Sequence, residues 1–190
     1  MAELKILGIP GSLRRNSYNK GLLRAAQQLV PADAEIEIFD LLGIPLFNED
    51  EEKNPPEPVL EFRRKIREAD AILFATPEYN YSMPGVLKNA VDWGSRPYGQ
   101  SSWHAKPTAI MGASPGILGT ARSQYHLRQV FVALDVKDMK QPELMIANAG
   151  QKFDTEGNLT DETTKQYLRR FLAAFVAHVK RAAVATAASA

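Results

Sequence analysis

The sequence predicts an α/β fold in which one five-stranded parallel sheet lies between two layers of helices. Three observations predict it. Short apolar runs alternate along the chain with longer segments of helical periodicity, five of each, the pattern left by strands that cross over through helices. An inner run such as Ala71-Ile72-Leu73-Phe74-Ala75 is apolar at every position, as a strand covered on both faces must be. The 190 residues, 45% apolar and 24% charged, suffice for one core without staples.

The elements follow in order. Residues 4–9 form the first strand and end at Pro10-Gly11-Ser12. Leu22, Leu23, Ala26, Leu29 and Val30 recur at helical spacing until Pro31 stops them. Residues 35–39 alternate with a period of two, which suits a strand nearer the sheet edge. Residues 40–58 read as a loop, polar from Asn48 to Lys53 and closed by Pro55, Pro56 and Pro58. Val59, Phe62 and Ile66 share one face of a second helix, and residues 71–75 are the central strand. Residues 84–93 predict a third helix with Pro84 in its first turn. A fourth strand is expected over 108–113, a fourth helix over 121–134, and a weaker fifth strand within 137–147. Residues 154–158 are a turn. Thr160 is the expected cap of a last helix whose core stripe is Leu168, Phe171, Leu172, Phe175, Val176 and Val179. The domain is expected over residues 1–181, and the alanine-rich stretch 182–190 reads as a frayed tail.

Composition excludes several function classes. A net charge of +1 supplies no field for nucleic acid or an anionic membrane. No apolar run approaches the roughly 20 residues of a membrane span, and the first residues lack a signal peptide's basic and apolar regions. A cytoplasmic protein is the expectation. The absence of cysteine removes thiolate nucleophiles and cysteine metal sites. His104, His126 and His178 share no ligand spacing, and residues 154–161 resemble a calcium loop only with Gly157 misplaced. No metal is expected.

Ligands of such a fold bind beyond the carboxyl ends of the strands, where the strand order reverses. That directs attention to the turns after residues 9, 75 and 113. The first turn, residues 11–19, offers Ser12, Ser17 and Asn19 as polar groups, Arg14 as a cation, and the free N–H groups of a helix start. Neither Gly-x-x-x-x-Gly-Lys-Ser/Thr nor Gly-x-Gly-x-x-Gly is present, so a terminal monophosphate suits it better than a triphosphate or a pyrophosphate. A serine-rich turn that only caps a helix accounts for the same residues. The second turn, residues 76–85, is stiffened by Pro77 and Pro84 and carries Tyr79, Asn80 and Tyr81. It suits a planar ring that needs backbone partners at its edge and apolar walls on its faces. Alternatively, its tyrosines simply pack on neighbouring helices.

The third turn contains Gly112-x-Ser114-x-Gly116, the spacing of a hydrolase nucleophile elbow. That elbow uses the N–H of the residue after the serine as an oxyanion donor, and here the residue is Pro115, which has none. Losing one such donor costs roughly 3–4 kcal/mol of transition-state stabilisation. His126 or His178 would have to serve as base, and no motif places either. A hydrolase is the weaker reading of this turn.

Taken together the three turns resemble the NADPH-dependent FMN reductase family, in particular its bacterial quinone and chromate reductases. The residues carrying the resemblance are Gly11-Ser12-Leu13-Arg14, Ser17-Tyr18-Asn19, Thr76-Pro77-Glu78-Tyr79-Asn80-Tyr81-Ser82, Pro84-Gly85, Leu87-Lys88-Asn89-Ala90 and Asp92-Trp93. Gly119 to Arg122 and Gln124-Tyr125-His126-Leu127-Arg128-Gln129 continue it. The resemblance implies a flavodoxin-like α/β/α sandwich of strand order 2-1-3-4-5, with FMN as cofactor and NADPH or NADH as donor. It implies that Ser12, Arg14, Ser17, Tyr18 and Asn19 hold the FMN phosphate. Pro77, Glu78, Tyr79 and Asn80 would line the isoalloxazine, while Ser114 and Gly116 would approach its pyrimidine end. It further implies a homodimer or homotetramer, with Arg96, Tyr125 and Glu143 near subunit contacts or substrate.

The chemistry so implied is a ping-pong cycle in which NAD(P)H gives hydride to flavin N5, and a quinone, or chromate, an azo dye or free flavin, then receives it. No catalytic side chain is demanded. Two rivals stand beside it. One is a flavodoxin-type electron carrier, although such carriers are strongly acidic and this chain is not. The other is a flavin-free domain whose first turn binds some other phosphate.

Overall fold

A computed structural model describes the backbone of residues 4–188 and the side chains of residues 4–184. Strands β1 (Leu4–Pro10), β2 (Ala34–Ile38), β3 (Ala71–Ala75) and β4 (Pro107–Ala113) alternate with helices α1 (Tyr18–Leu29), α2 (Glu57–Glu68) and α3 (Gly85–Gly94). Then come α4 (Ala121–Ala133), the short strands β5 (Lys137–Asp138) and β6 (Leu144–Ile146), and α5 (Glu162–Ala188). All pairings are parallel, in the order β2-β1-β3-β4-β5, and β6 also pairs with β4. This is the doubly wound arrangement that the resemblance implies.

Successive strand residues point to opposite faces, and the core divides accordingly. Ile6, Leu73 and Met111 pack under α1 and α5 with Leu22, Phe171 and Phe175. Leu7, Ile72, Phe74 and Ile110 pack under α2, α3 and α4 with Phe62, Trp103 and Phe131. Every residue of β3 is buried, which explains its uninterrupted apolar run. In β2, Glu35 and Glu37 are exposed between buried Ala34 and Ile36, which explains the alternation there.

Two expectations are corrected. The weak fifth strand is two short strands, because Gln141-Pro142 interrupts the stretch and proline brings no N–H to a ladder. Thr160 does not cap α5, since its hydroxyl donates to the Lys152 carbonyl (3.1 Å). Asp161 caps instead, its carboxylate accepting from the Thr164 N–H (2.7 Å) and hydroxyl (2.6 Å). The helix runs on through residues 182–188, and the last two residues of the alanine-rich stretch lie outside the described residues.

The strand order reverses between β1 and β3. Backbone hydrogen bonds carry the sheet a step beyond its strands there: Gly11 N–H to Ala75 O (2.8 Å), Thr76 N–H to Met111 O (3.0 Å) and Ser114 N–H to Ile146 O (3.0 Å). The turns after β1, β3 and β4 therefore leave the same edge in fixed register.

Candidate functional site

The turn after β1 delivers a set of donors at the start of α1. Ser17 is the N-cap, its hydroxyl oxygen accepting from the Asn19 N–H (3.2 Å). The Ser12 hydroxyl accepts from the Arg14 N–H (3.3 Å). Both serines are buried, and each keeps its own O–H to donate. The N–H groups of residues 15–18, at the approach to α1 and its start, donate to no acceptor among the described residues. Arg14 lies over the Tyr18 ring at 5.2 Å, and that ring packs on Phe153 at 5.1 Å. Cation, hydroxyls and helix start thus form an anion receptor.

Asn19 lines the cleft and ties two turns together. Its side-chain amide donates to the Ala113 carbonyl (2.9 Å), and its oxygen accepts from the Ala113 N–H (2.9 Å). This reciprocal pair locks the first turn to the end of β4. Gly11 permits an equally close approach to the second turn, because a Cβ there would lie 3.1 Å from Leu87 and 3.3 Å from both Pro77 and Thr76.

The turn after β3 is held almost entirely from α4. The Pro77 carbonyl accepts from the hydroxyls of Thr76 (2.8 Å) and Ser123 (2.9 Å). The Glu78 carboxylate accepts from the Arg122 N–H (3.0 Å), the Ser123 N–H (3.4 Å) and the Arg122 guanidinium. Pairing with Glu78 holds the Arg122 guanidinium above its ordinary pKa. Tyr79 and Ser82 exchange two backbone hydrogen bonds of 3.0 Å around Asn80 (φ 50°) and Tyr81 (φ 68°). The Glu78 N–H donates to no acceptor among the described residues.

Between these turns lies a cleft of about 470 Å³ lined by Ser12, Arg14, Ser17, Tyr18, Asn19, Pro77, Glu78, Tyr79, Ala113, Ser114 and Pro115. Its size falls within the roughly 300–1,000 Å³ of small-molecule sites. One end is the anion receptor. The other end offers the Glu78 N–H, proline rings and the half-exposed Tyr79, a slot that suits a flat heteroaromatic ring. Asn80 and Gly116 are not among the lining residues. Asn80 occupies the exposed corner of its turn, and the Gly116 N–H donates to the Ser114 hydroxyl (3.1 Å).

That bond engages Ser114 in its own turn, and no histidine reaches it. His126 Nδ1 lies 2.9 Å from the Ser82 hydroxyl, and His178 Nε2 lies 2.8 Å from the Lys137 carbonyl. The elbow-like spacing is not a nucleophile site. Of Arg96, Tyr125 and Glu143, the last two pair with each other, whereas Arg96 pairs with Glu52 (3.7 Å) over the Phe47 ring (5.2 Å). Tyr125 donates to Glu143 (3.3 Å), which raises the phenol's pKa. Sequence reasoning missed Ser123 and Arg122, whose partners in the second turn lie 44 to 47 positions away.

The comparisons with known proteins agree with this geometry. The sequence model described as NADPH-dependent FMN reductase matches residues 4–151. An NAD(P)H-dependent FMN reductase of Pseudomonas aeruginosa is 52% identical over 180 residues, covering 94% of this chain and 97% of that protein. An NAD(P)H:quinone oxidoreductase of Solanum tuberosum is 50% identical, covering 92% of each chain. Among solved structures, the flavoenzyme NAD(P)H:(acceptor) oxidoreductase of Paracoccus denitrificans superposes with a TM-score of 0.86 at 37% identity, covering 94% of this chain and 98% of that one. The chain belongs to the NADPH-dependent FMN reductase family.

Proposed function

We propose that this chain is an FMN-dependent NAD(P)H oxidoreductase that delivers electrons to quinones or similar small acceptors. The observation that carries the reading is the convergence of an anion receptor and a flat, donor-lined slot in one cleft. Bound FMN would supply two-electron chemistry, accepting from a nicotinamide and donating to an acceptor in separate half-reactions. The chain's residues bind and orient. Ser12, Ser17, Arg14 and the α1 N-terminus take the phosphate, and Tyr18, braced by Phe153, supports Arg14. The Glu78 N–H and the Pro77 and Pro115 rings would set the depth and tilt of the isoalloxazine. Tyr79, 49% exposed, would leave room for a nicotinamide or quinone on the outer face. Because that face is open, acceptors are chosen by planarity and potential more than by shape.

Three further points belong to this reading. Arg96, Tyr125 and Glu143 would lie beside subunit contacts of a homodimer or homotetramer. A cytoplasmic location fits a chain in which no described helix is long and apolar enough to cross a membrane. The neutral net charge favours an enzyme over an electron carrier.

Purified protein should bind FMN and show a flavin absorbance spectrum. Anaerobic NADPH or NADH should bleach that spectrum within one turnover, and a quinone should restore it. Flavin that stays oxidised under both nicotinamides would return the chain to the carrier reading.

A further inference from the structure

We propose that Arg122 is a positioning residue for the flavin slot, fixing the second turn through Glu78 on one side and Tyr81 on the other. The proposal rests on the FMN reading above. It starts from an anomaly at the start of α4. The N-cap position is Thr120, in a left-handed conformation (φ 119°) with no side-chain capping bond. The helix is capped instead from outside, by the Glu78 carboxylate on the Arg122 and Ser123 N–H groups. That carboxylate is only 7% exposed, so it must be paired where it sits. Arg122 supplies the partner as a fork, with Nε and Nη2 both on one carboxylate oxygen.

The same guanidinium lies 3.6 Å from the centre of the Tyr81 ring, close enough for stacking. Tyr81 is a bulky aromatic residue at φ 68°, a conformation that persists only where surroundings over-determine it. One cation therefore grips both ends of the segment 78–81 and holds it against the backbone's own preference. Further along α4, Ser123 donates to the Pro77 carbonyl (2.9 Å), and His126 Nδ1 lies 2.9 Å from the Ser82 hydroxyl. The turn is thus bound at Pro77, Glu78, Tyr81 and Ser82 to Arg122, Ser123 and His126 of one helix. The outcome that matters is the Glu78 N–H, the backbone donor of a cleft-lining residue, with no acceptor among the described residues. Arg122 is not among the cleft-lining residues; it acts by deciding where that donor stands.

The test uses full-length Arg122→Ala, Arg122→Lys and Tyr81→Leu, with Arg64→Ala as a control that removes an ion pair elsewhere, on α2. FMN affinity of the apoprotein is read by flavin fluorescence, and the midpoint potential of the bound flavin by anaerobic redox titration. Arg122→Ala should raise the Kd for FMN by about ten- to a hundredfold, the effect of one displaced hydrogen-bond donor, and should shift the potential. Arg122→Lys keeps the charge but not the fork or the stack, so it should recover only part of the affinity. Tyr81→Leu should move both readouts in the same direction by less, and Arg64→Ala should move neither. The proposal is overturned if folded Arg122→Ala, or Arg122→Lys together with Tyr81→Leu should the alanine variant not fold, keeps wild-type affinity and potential. Wild-type protein that does not bind FMN at all would overturn the flavin reading and this inference with it. Wild-type binding with unaltered variants would overturn this inference alone.

Discussion

Arg14 and Asn19 sit five positions apart in the same turn, and the structure gives them opposite kinds of work. The Arg14 side chain is exposed and lies over the Tyr18 ring, so Arg14→Ala should leave the melting temperature of the apoprotein unchanged. It should weaken FMN binding by about tenfold or more, the worth of a charge-assisted hydrogen bond, and lower the salt dependence of that binding. Asn19→Ala leaves the buried Ala113 N–H and carbonyl without partners, at about 1–3 kcal/mol for each. That variant should melt lower even without FMN. Calorimetry on both apoproteins separates the two roles. The sequence showed residue types at this scale but not their directions: a serine, an arginine and an asparagine beside a helix start all look like phosphate donors. Only coordinates show that the asparagine faces a strand end. Glu78 was legible as part of a ring-lining turn, while its partner Arg122, 44 positions away, carries no local signal.

Among the elements, those with strong periodicity were legible almost to the residue. β3 matches its expected bounds, because a strand buried on both faces must be apolar throughout. The failures came where tertiary contacts outweigh pattern. The β4 edge is finished by two short strands flanking Gln141-Pro142, and α5 is capped one residue later than Thr160 suggested. Two adjacent candidate caps cannot be ranked from sequence when one hydroxyl is captured by a distant carbonyl. The Asp161 cap makes a pH prediction. Hydrogen bonds from the Thr164 side chain and backbone hold its carboxyl below the ordinary 3.8. A depressed folded-state pKa contributes stability that is complete above the unfolded value and is lost as pH falls through the folded one. Asp161→Ala should therefore melt lower than wild type at neutral pH. The gap should close below pH 3.8; a gap that persists unchanged into strong acid would mean that the charge is irrelevant to the cap.

For the whole molecule, two cores on opposite faces of one sheet fix the register of the three turns, so function depends on packing far from the cleft. Trp103 joins Phe62 (5.9 Å) and Phe74 (5.7 Å), and its indole N–H donates to the Val91 carbonyl (2.9 Å). Trp103→Ala should cost about 3–5 kcal/mol in a chemical unfolding titration, and FMN at saturating concentration should restore part of that by mass action. Fold class and the location of the site were legible at this scale because both follow from strand order. How subunits associate was not, since an exposed tyrosine looks the same in the sequence whether or not a second copy covers it. The account as a whole stands on FMN occupying the cleft between the turns after β1, β3 and β4. A crystal structure of the protein soaked in FMN tests that directly. The phosphate should lie on Ser12, Ser17 and the N–H groups of residues 15–18, with the ring between Tyr79 and Ser114. Density for the nucleotide anywhere else would contradict it.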